Sequence, residues 1–229
     1  KDYATNSLRA LPEDTRYLIM GPDPNNLLLY TCVVVATSPM RHSQNWTPDF
    51  TKILTRGVKG IREEAQARLD GLAEPRDVVY RKAFLEAVIL TCDAMTLWAK
   101  RYAARARELA SSEADARRKA ELLEIADVCE WVPENPARTF REAIQAQWWG
   151  QVFNRIEQTS SAMGQGRMDQ YLLPYYRKDL AEGRITKESA IELFHCLWLS
   201  MSQVTEIKLN PVAAAGTEEF SQFSDVCVG

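Results

Sequence analysis

Residues able to do chemistry are thinly spread in this sequence. Histidine occurs only at His42 and His195. In Glu192-Leu193-Phe194-His195 a carboxylate and an imidazole stand three residues apart on one helix face, which is half of a di-iron carboxylate site in helical bundles. Such a site needs a second copy, and His42 has no Glu three residues before it, so no metal centre is expected. Gly164-Gln165-Gly166 has neither the preceding strand nor the following Lys of a phosphate-cradling loop and reads as a turn between helices. Ser160 and Ser161 lack a Gly-x-Ser-x-Gly elbow, which argues against acyl hydrolysis. Cys32, Cys92, Cys129, Cys196 and Cys227 are odd in number and widely spaced, so they suggest buried packing residues in a reducing compartment. Trp148, Trp149 and Phe153 could line an apolar pocket or fill a core. The charges of Arg155-Ile156-Glu157 and Arg167-Met168-Asp169 sit among apolar residues and would need pairing if buried, for structure or for substrate.

The elements that must position these residues are mainly helical. Prolines 12, 22, 24 and 39 break residues 1–46, where the apolar run Leu27–Val35 reads as a buried strand. Thr47-Pro48-Asp49 predicts a helix start with Thr47 as N-cap, running to about Asp70 and stopped by Gly71, with Gly57 and Gly60 weakening its middle. A helix over about 78–109 carries the stripe Phe84, Val88, Thr91, Met95, Trp98 and Tyr102. Another, over about 113–131, has Ala116, Ala120, Leu123, Ala126 and Val128 or Cys129 on its apolar side. Thr139 and Glu142 form a capping box for a helix from Phe140 to about Thr159. Helices are also predicted from Met168 to about Leu180 and, capped by Thr186, to about Val204, the latter burying Ala190, Phe194, Leu197, Met201 and Val204. One helix-rich domain with few strands is the expectation.

The bulk figures exclude more than they name. Lys and Arg total 28 against 31 Asp and Glu, interspersed, for a net charge of -3, which disfavours nucleic acid as a partner. No apolar run approaches the roughly 18 residues of a membrane helix, and the start has no signal-peptide pattern, so a cytoplasmic protein is expected. The missing initial Met, and the alternating Asp225–Gly229 that reads as an interrupted strand, lead us to expect truncation at both ends.

Three stretches together resemble the glycyl radical enzymes, the pyruvate formate-lyase-like family, and especially its dehydratase-like branch acting on glycerol and choline. They are Pro133-Glu134-Asn135-Pro136-Ala137-Arg138-Thr139-Phe140-Arg141-Glu142-Ala143-Ile144-Gln145, Arg155-Ile156-Glu157, and Gly166-Arg167-Met168-Asp169-Gln170-Tyr171 continuing to Asp179. The segment Thr47–Ile61 and the Val226–Gly229 strand extend the resemblance over about residues 40–229. It implies that residues 1–229 are part of an α/β barrel of two five-stranded half-sheets wrapped by helices, mostly α in this portion. It further implies a glycyl radical installed by a separate S-adenosylmethionine-dependent iron–sulfur activating enzyme, no directly bound cofactor, a homodimer at full length, and substrate attack by a thiyl radical. The thiyl Cys-x-Glu loop and the radical glycine belong downstream of the Val226–Gly229 strand, so Cys227 is not the thiyl cysteine and no catalytic residue is expected in this chain.

Two departures bear on substrate. Polyol dehydratases usually show Gly-His where this chain has Gln44-Asn45-Trp46-Thr47, and Ser-Asn-Gly-His-Ser where it has Gln158-Thr159-Ser160-Ser161-Ala162. By this analogy Asn45, Trp46, Trp148, Trp149 and Ser161 are pocket candidates, whereas Glu157, Gly166, Arg167, Asp169 and Gln170 mark the family motif. A substrate larger or less hydroxylated than glycerol is implied. The expected activity is a radical lyase reaction, by dehydration or by C–C, C–N or C–S cleavage. The alternatives are addition of a hydrocarbon to fumarate, a non-catalytic helical scaffold, or an accessory chain completing a separately encoded half.

Overall fold

The computed structural model describes residues 47–73, 75–157 and 164–203, without the side chains of residues 75–79, 155 and 157. Seven helices occupy the described residues: α1 (Phe50–Asp70), α2 (Pro75–Ser112), α3 (Ala116–Trp131), α4 (Phe140–Glu157), α5 (Met168–Tyr171), α6 (Leu173–Ala181) and α7 (Lys187–Ser202). No strand lies among them, and the strands predicted at 27–35 and 225–229 fall outside the described residues.

α1 begins two residues later than predicted, because the Asp49 carboxylate, not Thr47, caps it by accepting from the Lys52 N–H at 3.0 Å. Gly57 breaks the helix with φ +64°, a left-handed conformation that glycine reaches without the steric cost of a Cβ. In an unbroken helix Val58 N–H would donate to Leu54 O and Lys59 N–H to Thr55 O. Both turn instead to the loop after α3, to Pro133 O at 2.8 Å and Glu134 O at 3.0 Å. The vacated Leu54 carbonyl accepts from Ala137 N–H at 2.9 Å and from the Tyr175 hydroxyl at 3.2 Å. The glycine predicted to weaken the helix thus splices it to the Pro133–Ala137 loop.

That loop delivers the chain to α4. Its geometry is held by Trp131, whose Nε1 donates to Pro136 O at 2.8 Å and whose carbonyl accepts from Asn135 N–H at 3.0 Å. Thr139 Oγ1 accepts from Glu142 N–H at 3.2 Å, as the capping box requires, but the Glu142 carboxylate reaches back one residue further, to Arg138 N–H at 2.6 Å. The buried Asp179 of α6 accepts from Phe140 N–H at 2.7 Å, satisfying another orphan donor of the first turn. Its other oxygen is held by Arg184 at 2.6 Å, so the buried charge is paired.

The predicted stripe of α2 holds in part: Met95 is buried and Val88 and Trp98 pack against the core, but its other members face outward. Phe84 is 67% exposed and Tyr102 54%, whereas Ala99, Ala103, Ala106 and Ala110 are buried. Small residues let α3 approach closely, and the pair is clamped by Arg107 to Glu130 at 2.9 Å and Asp127 at 3.4 Å. In α3 the buried set is Leu122, Ala126, Val128 and Cys129, with Ala116, Ala120 and Leu123 outward. The single helix predicted from Met168 is split, since Pro174 has no N–H for Gln170 O and its ring clashes with that carbonyl. In α7 Ala190, Leu197 and Met201 are buried as predicted; Phe194 is half-buried and Val204 lies outside the described residues.

A Cβ at Gly57 would stand 2.3 Å from Glu134 O and 2.6 Å from Asn135 C. Gly57→Ala is expected to destabilise by about 3–5 kcal/mol, from left-handed strain plus lost splice hydrogen bonds. Gly71→Ala, where a Cβ meets nothing closer than 3.4 Å, should shift thermal unfolding by far less. Paired melting curves check this.

Candidate functional site

A cleft of about 520 Å³ opens between the start of α1 and the turn that leads into α5. Thr47, Asp49, Phe50 and Thr51 line one side, Gln165, Gly166, Arg167 and Gln170 the other, and Tyr171, Pro174 and Tyr175 the floor. The two sides meet at Gly166, whose φ of +62° sets the turn and whose Cβ position lies 3.0 Å from Thr47 Cγ2. Phe50 and Tyr171 stack at 5.7 Å and close the cleft beneath.

Most of its polar groups are already engaged. Asp49 caps α1, and the Arg167 guanidinium grips Asp169 through two bonds of 2.9 and 2.7 Å. Tyr171 donates its hydroxyl to Gln165 O at 2.8 Å and Tyr175 to Leu54 O. Burial raises both phenols above the usual range, so they act as neutral donors. The cleft's polar groups thus chiefly hold its own walls together.

The sequence candidates divide. Gly166, Arg167 and Gln170 line the cleft, with Asp169 paired to Arg167. Trp149 is 4% exposed and contacts Tyr102 at 5.4 Å and Phe153 at 5.7 Å; Trp148 is half-buried against the same core, and neither lines the cleft. Glu157 ends α4, its side chain outside the described set, as are Asn45, Trp46 and Ser161. Glu192 and His195 are exposed on α7, and no group of three or more potential metal ligands forms among the described residues.

Sequence reasoning missed a buried amide chain beside the cleft. Gln147, Gln151 and Gln165 are each fully buried, with Gln147 Nε2 donating to Gln165 Oε1 at 3.0 Å and Gln165 Nε2 to Gln151 Oε1. The available signal was Gln147 and Gln151, four residues apart and flanking the apolar Trp148-Trp149-Gly150 on one helix.

A family model described as "Pyruvate formate lyase-like" matches residues 27–229, and the chain belongs to that family of glycyl radical enzymes. It is 48% identical over 223 residues to an isethionate sulfite-lyase of Nitratidesulfovibrio vulgaris, covering 96% of this chain and 27% of that protein. It is 32% identical over 180 residues to trans-4-hydroxy-L-proline dehydratase of Clostridioides difficile, covering 77% and 23%. The crystal structure of hydroxyproline dehydratase from that organism, with trans-4-hydroxy-L-proline bound, superposes with a TM-score of 0.80 at 29% identity, covering 93% of this chain and 27% of that one. The chain thus spans about a quarter of the length of these relatives. No helix among the described residues is long and apolar enough to cross a membrane.

The cysteines give a direct check on burial. Burial pushes the Cys129 thiol up to about 11 and raises that of Cys92, whereas Cys196 is exposed on α7, against the expectation of packing. At pH 8 only about a thousandth of Cys129 is thiolate, the reactive form. Iodoacetamide under native conditions should label Cys196 and spare Cys92 and Cys129, read by peptide mass mapping. Raising the pH toward 11 should bring Cys129 into reach.

Proposed function

We propose that the full-length protein is a glycyl radical lyase that breaks the C–S bond of a small hydroxyalkyl sulfonate of the isethionate type. The observation that carries this is the contrast between 48% identity to a protein named isethionate sulfite-lyase and 32% to a dehydratase. The two sequence departures agree with it. Trp46 stands where polyol dehydratases show His, and no His replaces it in Gln158–Ala162, so hydroxyl-binding groups are fewer, as suits a substrate with one hydroxyl.

In this reading the chain builds part of the substrate enclosure and supplies none of the radical chemistry. Asn45 and Trp46 lie within two residues of Thr47, and Ser161 lies three residues before Gly164. With about 3.8 Å between consecutive Cα atoms, Asn45 and Trp46 are tethered within about 8 Å of Thr47, and Ser161, four residues before Gln165, within about 15 Å of the other side. That tether supports Asn45, Trp46 and Ser161 as substrate contacts beside Gly166, Arg167 and Gln170. The family's glycyl radical, once installed by the S-adenosylmethionine-dependent iron–sulfur activating enzyme, would supply hydrogen-atom abstraction by way of a thiyl radical outside this chain. What the residues here contribute is the orientation of the substrate and the exclusion of water around it. A homodimer and a cytoplasmic location complete the proposal.

Dehydration is the second reading, favoured by the close structural match to hydroxyproline dehydratase. The two separate in one assay. The full-length protein, activated under strict anaerobiosis, is offered isethionate, glycerol and trans-4-hydroxy-L-proline. Sulfite release from isethionate with no turnover of the others is expected; dehydration of either alcohol without sulfite release would replace the first reading by the second.

A further inference from the structure

Gln147 and Gln151 sit one turn apart on α4, and Gln165 alone spans them from the turn before α5. Its backbone carbonyl is pinned as well, by the Tyr171 hydroxyl. The outer ends of this amide chain, Gln147 Oε1 and Gln151 Nε2, have no partner among the described residues. Reversing every amide exchanges the donor end for the acceptor end but leaves one atom open at each. Among the described residues, Gln165 therefore takes part in every hydrogen bond of the three side-chain amides. Its removal would leave Gln147 Nε2 and Gln151 Oε1 unpaired too, raising the buried orphans from two to four.

A buried polar trio is a poor way to gain stability, since apolar side chains of the same shape serve as well or better. What an amide bridge adds is direction and fixed length. Gln165, Gly166 and Arg167 form one side of the cleft, and the other side touches it at Thr47. The geometry points to Gln165 as a positioning residue: its amide bridge to Gln147 and Gln151 locks the Gly164–Arg167 wall to α4 and so fixes the width of the cleft for a small polar substrate. The substrate arm of the test rests on the isethionate reading, while the structural arm does not.

In the full-length protein, peptide-level hydrogen exchange compares Gln165→Leu with the wild type. Residues 164–171 should exchange about tenfold faster or more, reflecting local opening, while the α7 peptide is unchanged. With isethionate, KM should rise about tenfold while kcat changes less, as for lost substrate positioning. Gln165→Glu supplies a pH signature. A protonated carboxyl offers one donor and one acceptor as the amide does, and burial raises its pKa, so the variant should match the wild type at low pH. Its folded-state pKa being above its unfolded one, it should lose that match as pH rises. Should Gln165→Leu fold poorly, the triple variant Gln147→Leu/Gln151→Leu/Gln165→Leu removes the orphan atoms; it should keep a near-native melting temperature yet show the same fast exchange at 164–171. Native-like exchange there in the triple variant, or in a folded Gln165→Leu, would overturn the proposal, as would an equal rise in α7. A wild type inert toward isethionate would reject the substrate reading and leave the exchange result decisive for the lock.

Discussion

At Gly57 the backbone of α1 leaves the helix, and the groups released by that break are the ones that hold the rest of the site together. Two N–H donors go to the carbonyls of Pro133 and Glu134, and one freed carbonyl takes Ala137 N–H and the Tyr175 hydroxyl. These bonds tie the first helix to the loop that enters α4 and to α6 at once. A Cβ at residue 57 would sit within the loop's backbone, so the splice depends on a glycine with positive φ. Everything downstream inherits this placement. The loop sets Thr139, Glu142 and the first turn of α4; Asp179 closes that turn from α6; α4 in turn carries the two glutamines that receive Gln165.

The cleft is thus bounded by two walls of different origin. One is the start of α1, fixed from below by the splice; the other is the Gly164–Arg167 turn, held against α4 by side-chain amides. Its carboxylate, guanidinium and phenols are mostly occupied in keeping these walls in place.

Much of this was legible in the residues. Helix starts and stops carry local chemistry, so Asp70 with Gly71, Thr139 with Glu142, and Thr186 marked real boundaries. The phase of α2 was only partly legible: Met95 and Trp98 pack inward as their stripe predicts, while the alanines of another stripe make the close contact with α3. Leu122 and Leu123 pose the same problem: adjacent leucines point to different sides and only the partner helix decides between them. The role of Gly57 was hidden because its purpose lies about 80 residues away, in a loop that no local pattern connects to it. The motif residues Gly166, Arg167 and Gln170 were found through family resemblance and do border the cleft. The amide chain was overlooked because glutamine reads as a surface residue until its partner is known.

Residue-resolved amide exchange in the full-length protein tests most directly whether the splice is the structure's anchor. Val58, Lys59 and Ala137 N–H should exchange only through global unfolding, with the same free energy as the most protected amides of α4. Exchange of these three amides at loop-like rates, while α4 stays protected, would show that α1 and the Pro133–Ala137 loop open independently and would contradict the account.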